Sequence, residues 1–226
     1  MSFPRIAGIA GIAFFVLMVL STIVPGEPPA LDADDQEVVE FITEDTGTVE
    51  VGSILGMLGL PLFAVLAVGL ARTAAPEGAT DARAWAVIGT VGAAGTIGTV
   101  GMASGINGVL LAQADSLEDT PEVAGLLFDL ANAGFVAAAV LFGIYLLGMG
   151  MAIVRGATLP AWLGWAGVVI AAFGIIGGAF AHEALANEGI GFLGFIGFIG
   201  FVIWNLAAGV VLLMRSRAPT PAAAAA

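Results

Sequence analysis

Cysteine and lysine are missing from this 226-residue chain, histidine and tyrosine occur once each, and arginine supplies the only strong bases, six in all. Without cysteine there is no disulfide, no thiolate zinc site, no iron–sulfur ligation and no thiol nucleophile. Eighteen acids against six bases leave a formal net charge of −12, which excludes nucleic acid as a partner. Charged residues of both signs make up only 11% of the chain, where a soluble domain carries about 25%. What fills the space is apolar: 59% of residues are hydrophobic, the mean hydropathy is +1.05, and there are 33 glycines. The composition is that of a membrane protein.

Crossing about 30 Å of hydrocarbon takes about 20 helical residues. Six apolar stretches meet that length: Ile6 to Val24, Val51 to Leu70, Trp85 to Leu111, Val123 to Val154, Leu159 to Phe180 and Ile190 to Met214. Their continuous apolar runs lack the period-two alternation of barrel strands, so the expected fold is all-α, a polytopic bundle of six transmembrane helices spanning residues 1–217. The acidic stretch 25–50 reads as an outer loop, and residues 218–226, with Pro-Thr-Pro and an alanine run, as a disordered tail. The first stretch follows a single Arg5, as the apolar region of a signal peptide follows its basic start. Its apolar core exceeds a signal h-region of about 7–15 residues, and no small-x-small cleavage site follows, so it reads as a retained span. No connection is long enough for a separate catalytic domain.

Arginine placement orients the bundle. Arg5, Arg72, Arg83, Arg155, Arg215 and Arg217 all fall on one side of the six-span arrangement, which the positive-inside rule makes cytoplasmic, with both termini there. Trp85, Trp162 and Trp165 stand on that side as interfacial anchors. The other side carries sixteen of the eighteen acids and no compensating base. Two readings of that face stand together: adaptation to high salt, and a rim that collects cations. Within it, Asp32 to Ile42 has the pattern of a short amphipathic helix with Asp32 as N-cap and Gly47 as terminator, lying across the outer mouth as a lid or along the membrane surface.

Glycines recur at mostly three-residue spacing in the third span, from Gly89 through Gly92, Gly95, Gly98, Gly101 and Gly105 to Gly108. The sixth repeats the device with Gly191, Gly194, Gly197 and Gly200, each followed by phenylalanine. Small residues let backbones approach closely in lipid, so both ridges predict tight helix packing. A seam between two copies of the chain would use the same surfaces, including Gly52 and Gly56.

Few polar groups interrupt the spans, and each carboxylate among them needs a reason, since insertion at a helix centre costs about 2.5–3.5 kcal/mol. Asn107, Asp129, Asn132, His182 and Glu183 stand at similar depth toward the acidic side. If their helices are adjacent they form one polar pocket. Three chemistries fit such a pocket: structural hydrogen bonding between helices, binding of a small cation, proton or lipid headgroup, and catalysis. Catalysis by His182 would draw on Ser104, the only nearby serine, which lacks a nucleophile-elbow context. One histidine with carboxylates and no HExxH spacing does not make a metal site. No catalytic residue, metal ligand or cofactor is therefore assigned. Asn205, deeper in the sixth span, is expected to bond Tyr145 or a backbone carbonyl of another helix.

Arg5-Ile6-Ala7-Gly8, the run RGATLPAWLGWAG from Arg155 to Gly167, and GFIGFIGFVIWNLAAGVVLLMR from Gly194 to Arg215 resemble a family of small bacterial and archaeal six-span membrane proteins grouped under a domain of unknown function. The resemblance implies a six-helix bundle in the plasma membrane and brings no activity or catalytic residue with it. The sequence thus points to an integral membrane protein that binds or passes a small solute, ion or lipid at an outward-facing polar pocket. The alternative is a structural or assembly protein packing through its glycine ridges, and the third reading an intramembrane enzyme. The partners implied are the bilayer, a second copy of the chain, and a small cation or lipid as ligand.

Overall fold

Proline and glycine set most of the helix boundaries. In a computed structural model, which describes residues 2–30, 33–44, 46–185 and 189–216, helix α1 (Phe3–Ile23) carries Pro4 in its first turn, where a missing N–H has no helical partner to lose. Pro25 and Gly26, the latter at φ 79°, end it. The chain continues as α2 (Asp35–Glu44), α3 (Thr46–Ala74), α4 (Thr80–Ala112), a single turn α5 (Ala114–Leu117), α6 (Pro121–Gly156), α7 (Ala161–Ala179), a short α8 (Ala181–Leu185) and, after a 3₁₀ turn at Gly189–Gly191, α9 (Phe192–Arg215). Pro121 opens α6 and Ala157, at φ 50°, closes it. The described residues contain no strand, and six helices are long and apolar enough to cross a membrane. The protein is an all-α polytopic bundle.

Each long helix packs on its neighbours in the chain, and α9 closes on α1, giving a ring in the order α1, α3, α4, α6, α7, α9. Glycines make the seams. Gly89 of α4 meets Gly148 of α6, Gly150 of α6 meets Gly164 of α7, Gly177 and Gly174 of α7 meet Gly194 and Gly197 of α9, and Gly209 of α9 meets Gly8 of α1. At each crossing a Cβ would run into the backbone of the partner helix. Apolar side chains gain little by leaving lipid for one another, so such backbone-to-backbone packing is the available source of cohesion.

Only part of the expected α4 ridge serves this purpose. Gly89, Gly92 and Gly95 lie on α6, whereas Gly98, Gly105 and Gly108 have nothing within 4 Å of a Cβ position and Gly101 only Leu60. The three-residue step explains the split: it falls about 60° short of a turn each time, so the ridge rotates away from α6 within a few repeats. Gly52 is used inside the chain, against Pro25 and Ser21.

The middle of the ring is aromatic. Phe14, Phe63, Phe142, Tyr145, Phe201 and Trp204 meet at centroid distances of 4.9 to 6.0 Å, mostly edge to face. Their polar atoms are paired: Tyr145 Oη donates to Asn205 Oδ1 at 2.8 Å, Asn205 Nδ2 donates to the Phe201 carbonyl at 2.8 Å, and Trp204 Nε1 donates to the Leu163 carbonyl at 2.8 Å. Among the described residues no buried side-chain nitrogen or oxygen lacks a partner.

The two ends of the ring differ. Arg5, Arg72, Arg83, Arg155 and Arg215 occupy first or last turns that converge at one end, where the Arg72 guanidinium lies 5.3 Å from the centre of the Phe3 ring and Thr158 Oγ1 donates to the Thr73 carbonyl. Arg217 and the tail beyond it lie outside the described residues. From that end the helices rise to unequal heights. With about 1.5 Å per residue, the 19 residues of α7 reach about 29 Å, while the 33 of α4 and the 36 of α6 reach about 50 and 54 Å. The excess length of α4 and α6 rises past the shorter helices at the far end and carries a second small core. There Val38, Val39 and Ile42 of α2 pack on Leu110, Ala114, Leu117 and Ala124.

Helix α2 is the amphipathic segment expected in the acidic stretch, with two differences. Asp32 lies outside the described residues, and it is Asp34 that precedes the helix, its Oδ1 accepting the Gln36 N–H at 2.7 Å. Gly47 lies in the first turn of α3, which begins at Thr46, and so does not terminate α2.

Candidate binding cavity

Above the aromatic centre, α1, α3, α4 and α6 part to leave a cavity of about 610 Å³, with Phe41 and Ile42 of α2 across it. Each wall contributes a stripe at helical spacing. On α4 it is Val100, Ser104, Asn107 and Leu111, on α6 Phe128, Asn132 and Phe135, and on α3 Val49, Ser53 and Gly56, completed by Met18 and Ser21 of α1. Among the described residues no lining residue is ionisable.

Two kinds of polar group face the space. Ser21 and Thr22 spend their hydroxyl hydrogens on the Met18 carbonyl, at 2.8 and 2.9 Å, and Asn132 Nδ2 donates to the Phe128 carbonyl at 2.9 Å, leaving its Oδ1 free to accept. Ser53, Ser104 and Asn107 are half-buried and make no side-chain hydrogen bond to a described residue. The cavity therefore offers uncommitted neutral donors and acceptors within apolar walls, the usual make-up of a small-molecule pocket, whose volumes run about 300–1,000 Å³.

Of the five residues expected to converge, the structure brings two to this cavity, Asn107 and Asn132. Asp129 is exposed and belongs to a separate hollow of about 340 Å³ with Leu126, Leu130, Ala133 and Leu185. The three-residue step from Asp129 to Asn132 leaves the two about 60° apart around α6. With Phe128, Asn132 and Phe135 turned inward, Asp129 falls on the adjoining stripe. His182, with 82% of its side chain exposed, and Glu183 sit on α8 beyond α7. Glu183 Oε2 accepts the Ile190 N–H at 2.9 Å and so fastens the connection to α9, with His182 Nε2 3.9 Å from Glu183 Oε1. Among the described residues no three histidines, aspartates or glutamates are grouped to hold a metal.

Ser21 and Ser53 line the cavity without having been singled out from the sequence. A depth count finds the serines. Measured from the arginine of each helix at about 1.5 Å per residue, Ser21 stands at about 24 Å, Ser53 at about 28 Å, Ser104 at about 32 Å, Asn132 at about 34 Å and Asn107 at about 36 Å.

A family model, described as a domain of unknown function (DUF4386), matches residues 6–216. The chain belongs to that family. No curated protein and no solved structure matches it. Family and fold together make it an integral membrane protein, and any finer statement rests on the cavity.

Proposed function

We propose that the protein lies in the plasma membrane with its arginine end and both termini in the cytoplasm, and that its outward-facing cavity binds a small, mostly apolar molecule bearing an uncharged polar group. The observation that carries this reading is the lining: half-buried Ser53, Ser104 and Asn107 have no protein partner among the described residues, and no charged side chain joins them. Holding neutral polar groups between apolar walls is useful when a ligand supplies the missing partners. Among the described residues no carboxylate lines the cavity itself to ligate a dehydrated cation, the rim carboxylates standing exposed outside it, and Asp129, the carboxylate nearest in sequence to Asn132, faces elsewhere.

A cysteine-free chain allows a direct test. Ser104→Cys, reconstituted in liposomes, is expected to react with a small neutral methanethiosulfonate. Gly56→Leu in the same background should suppress that reaction on the order of tenfold while leaving the fold intact, because the only atoms near a Cβ at Gly56 are those of Ser21 at 3.8 and 3.9 Å and the side chain extends into the cavity. Equal labelling rates with and without Gly56→Leu would remove the cavity as a binding site.

A second reading, assembly of two copies, has its own observation: Gly98 and Gly105 are exposed on α4 with nothing within 4 Å of their Cβ positions. Close packing of another copy there would make Gly98→Leu shift the protein from dimer to monomer in mild detergent, a change that would leave Ser104→Cys labelling untouched.

A further inference from the structure

Resting on that binding reading, we infer that the occupant is a single-chain lipid of the outer leaflet with an uncharged head, and that the acidic surround selects it against phosphate-bearing lipids. Depth is the first ground. Hydrocarbon of about 30 Å, measured from the arginine end, reaches its far boundary inside this cavity. Met18, Gly56 and Val100 stand at about 20, 24 and 26 Å, level with acyl chains, whereas Ser104, Asn132 and Asn107 stand at about 32 to 36 Å, level with headgroups. Ser104, Asn107 and the free Asn132 Oδ1 thus stand at the level of outer-leaflet headgroups, above walls that begin at acyl depth and hold the Ser21 and Ser53 hydroxyls at about 24 and 28 Å.

Charge is the second ground. Glu27, Glu40 and Glu50 are exposed and adjoin the lining residues Gly26, Pro28, Phe41 and Val49 in the chain. No described arginine stands at this end, and the chain has no lysine. A phosphate is normally held by guanidinium or ammonium groups. Here it would meet carboxylates alone, and like charges brought together cost several kcal/mol. A hydroxyl or ester head meets no such penalty and pairs with the free amide and hydroxyl groups. Size is the third ground, since about 610 Å³ suits one chain and a compact head.

The test uses two probes that differ only in the phosphate. Full-length protein is reconstituted in phosphatidylethanolamine vesicles with a trace of diazirine-bearing monoacylglycerol, or of lysophosphatidic acid with the same diazirine chain. After photolysis the attachment sites are mapped by mass spectrometry. The expected result is attachment on the α1, α4 and α6 segments around Met18, Val100 and Phe135, stronger for monoacylglycerol on the order of tenfold or more and lost in Gly56→Leu. Neutralising the rim with Glu27→Gln, Glu40→Gln and Glu50→Gln together should raise lysophosphatidic acid attachment to the monoacylglycerol level. Equal attachment of both probes in the unaltered protein would overturn the charge selection. Attachment of neither at the cavity would overturn the lipid assignment, and if Ser104→Cys labelling were still blocked by Gly56→Leu, the broader binding reading would survive it.

Discussion

Asn205 and Tyr145 join α6 to α9 by a hydrogen bond of 2.8 Å between two fully buried side chains. Tyr145→Phe leaves the Asn205 carbonyl oxygen without its donor. Stranding a buried acceptor costs about 1–3 kcal/mol, although exchanged partners in a membrane reduce such losses to about 0.6 kcal/mol on average. We therefore expect a measurable drop in melting temperature in detergent for Tyr145→Phe, and for the pair Tyr145→Phe with Asn205→Leu a loss smaller than the sum of the two single changes. Strict additivity would mean that the bond contributes nothing. Asp129 gives the opposite expectation. As it is exposed on the far stripe of α6, Asp129→Asn should leave Ser104→Cys labelling at its original rate, and a large change would mean that the two hollows communicate. Of the polar residues, the sequence showed which ones were unusual and about how deep they stood. It did not show which way each one faced, because a position on α6 shifted by three residues crosses from one wall to another.

At the scale of the helix, the glycine crossings and the α2 lid make separate predictions. Gly148 meets Gly89 backbone to backbone, so Gly148→Leu forces α4 and α6 apart. Overpacking of that kind costs about 1–3 kcal/mol and sometimes more, and we expect loss of the monodisperse species in size-exclusion chromatography. Gly98→Ala lies on the same helix with open space around it. It should be neutral, or stabilising by up to about 1 kcal/mol from helix propensity. Helix α2 is held by Val38, Val39 and Ile42, with Gly125 of α6 admitting the Asp35 side chain against its backbone. Burying each such apolar side chain stabilises by about 1.5–3 kcal/mol at most. Ile42→Asp should therefore release the lid and speed Ser104→Cys labelling from the acidic side, and an unchanged rate would mean that α2 does not cover the cavity. That α2 is an amphipathic helix was legible from its spacing of Val38, Val39, Phe41 and Ile42. Its N-terminal cap and its end were not, because neighbouring Asp and Gly residues offer several equivalent caps and the choice falls to packing.

For the molecule as a whole, the arginine distribution and the unequal helix lengths describe one object: a ring with a flush basic end and a raised acidic end that carries α2, α5 and the tops of α4 and α6. Single cysteines at Asp35 and Glu118 should label with an impermeant maleimide from outside intact cells, and those at Thr80 and Ala157 only after permeabilisation. The reverse pattern would invert the proposed orientation and remove the outer leaflet as a source of ligand. The all-α class and the six spans were set by the amino-acid sequence on its own, because in a bilayer every backbone polar group must be bonded within its own helix and an apolar run of sufficient length has no other stable form. Which glycines touch, which stripe of α6 faces inward, and that Asn107 and Asn132 share a cavity while Asp129, His182 and Glu183 stand outside it, were decided by the tertiary structure alone. Those outcomes depend on the rotation of each helix about its axis, and apolar side chains surrounded by lipid on all sides leave that rotation nearly unmarked in the sequence until the helices pack.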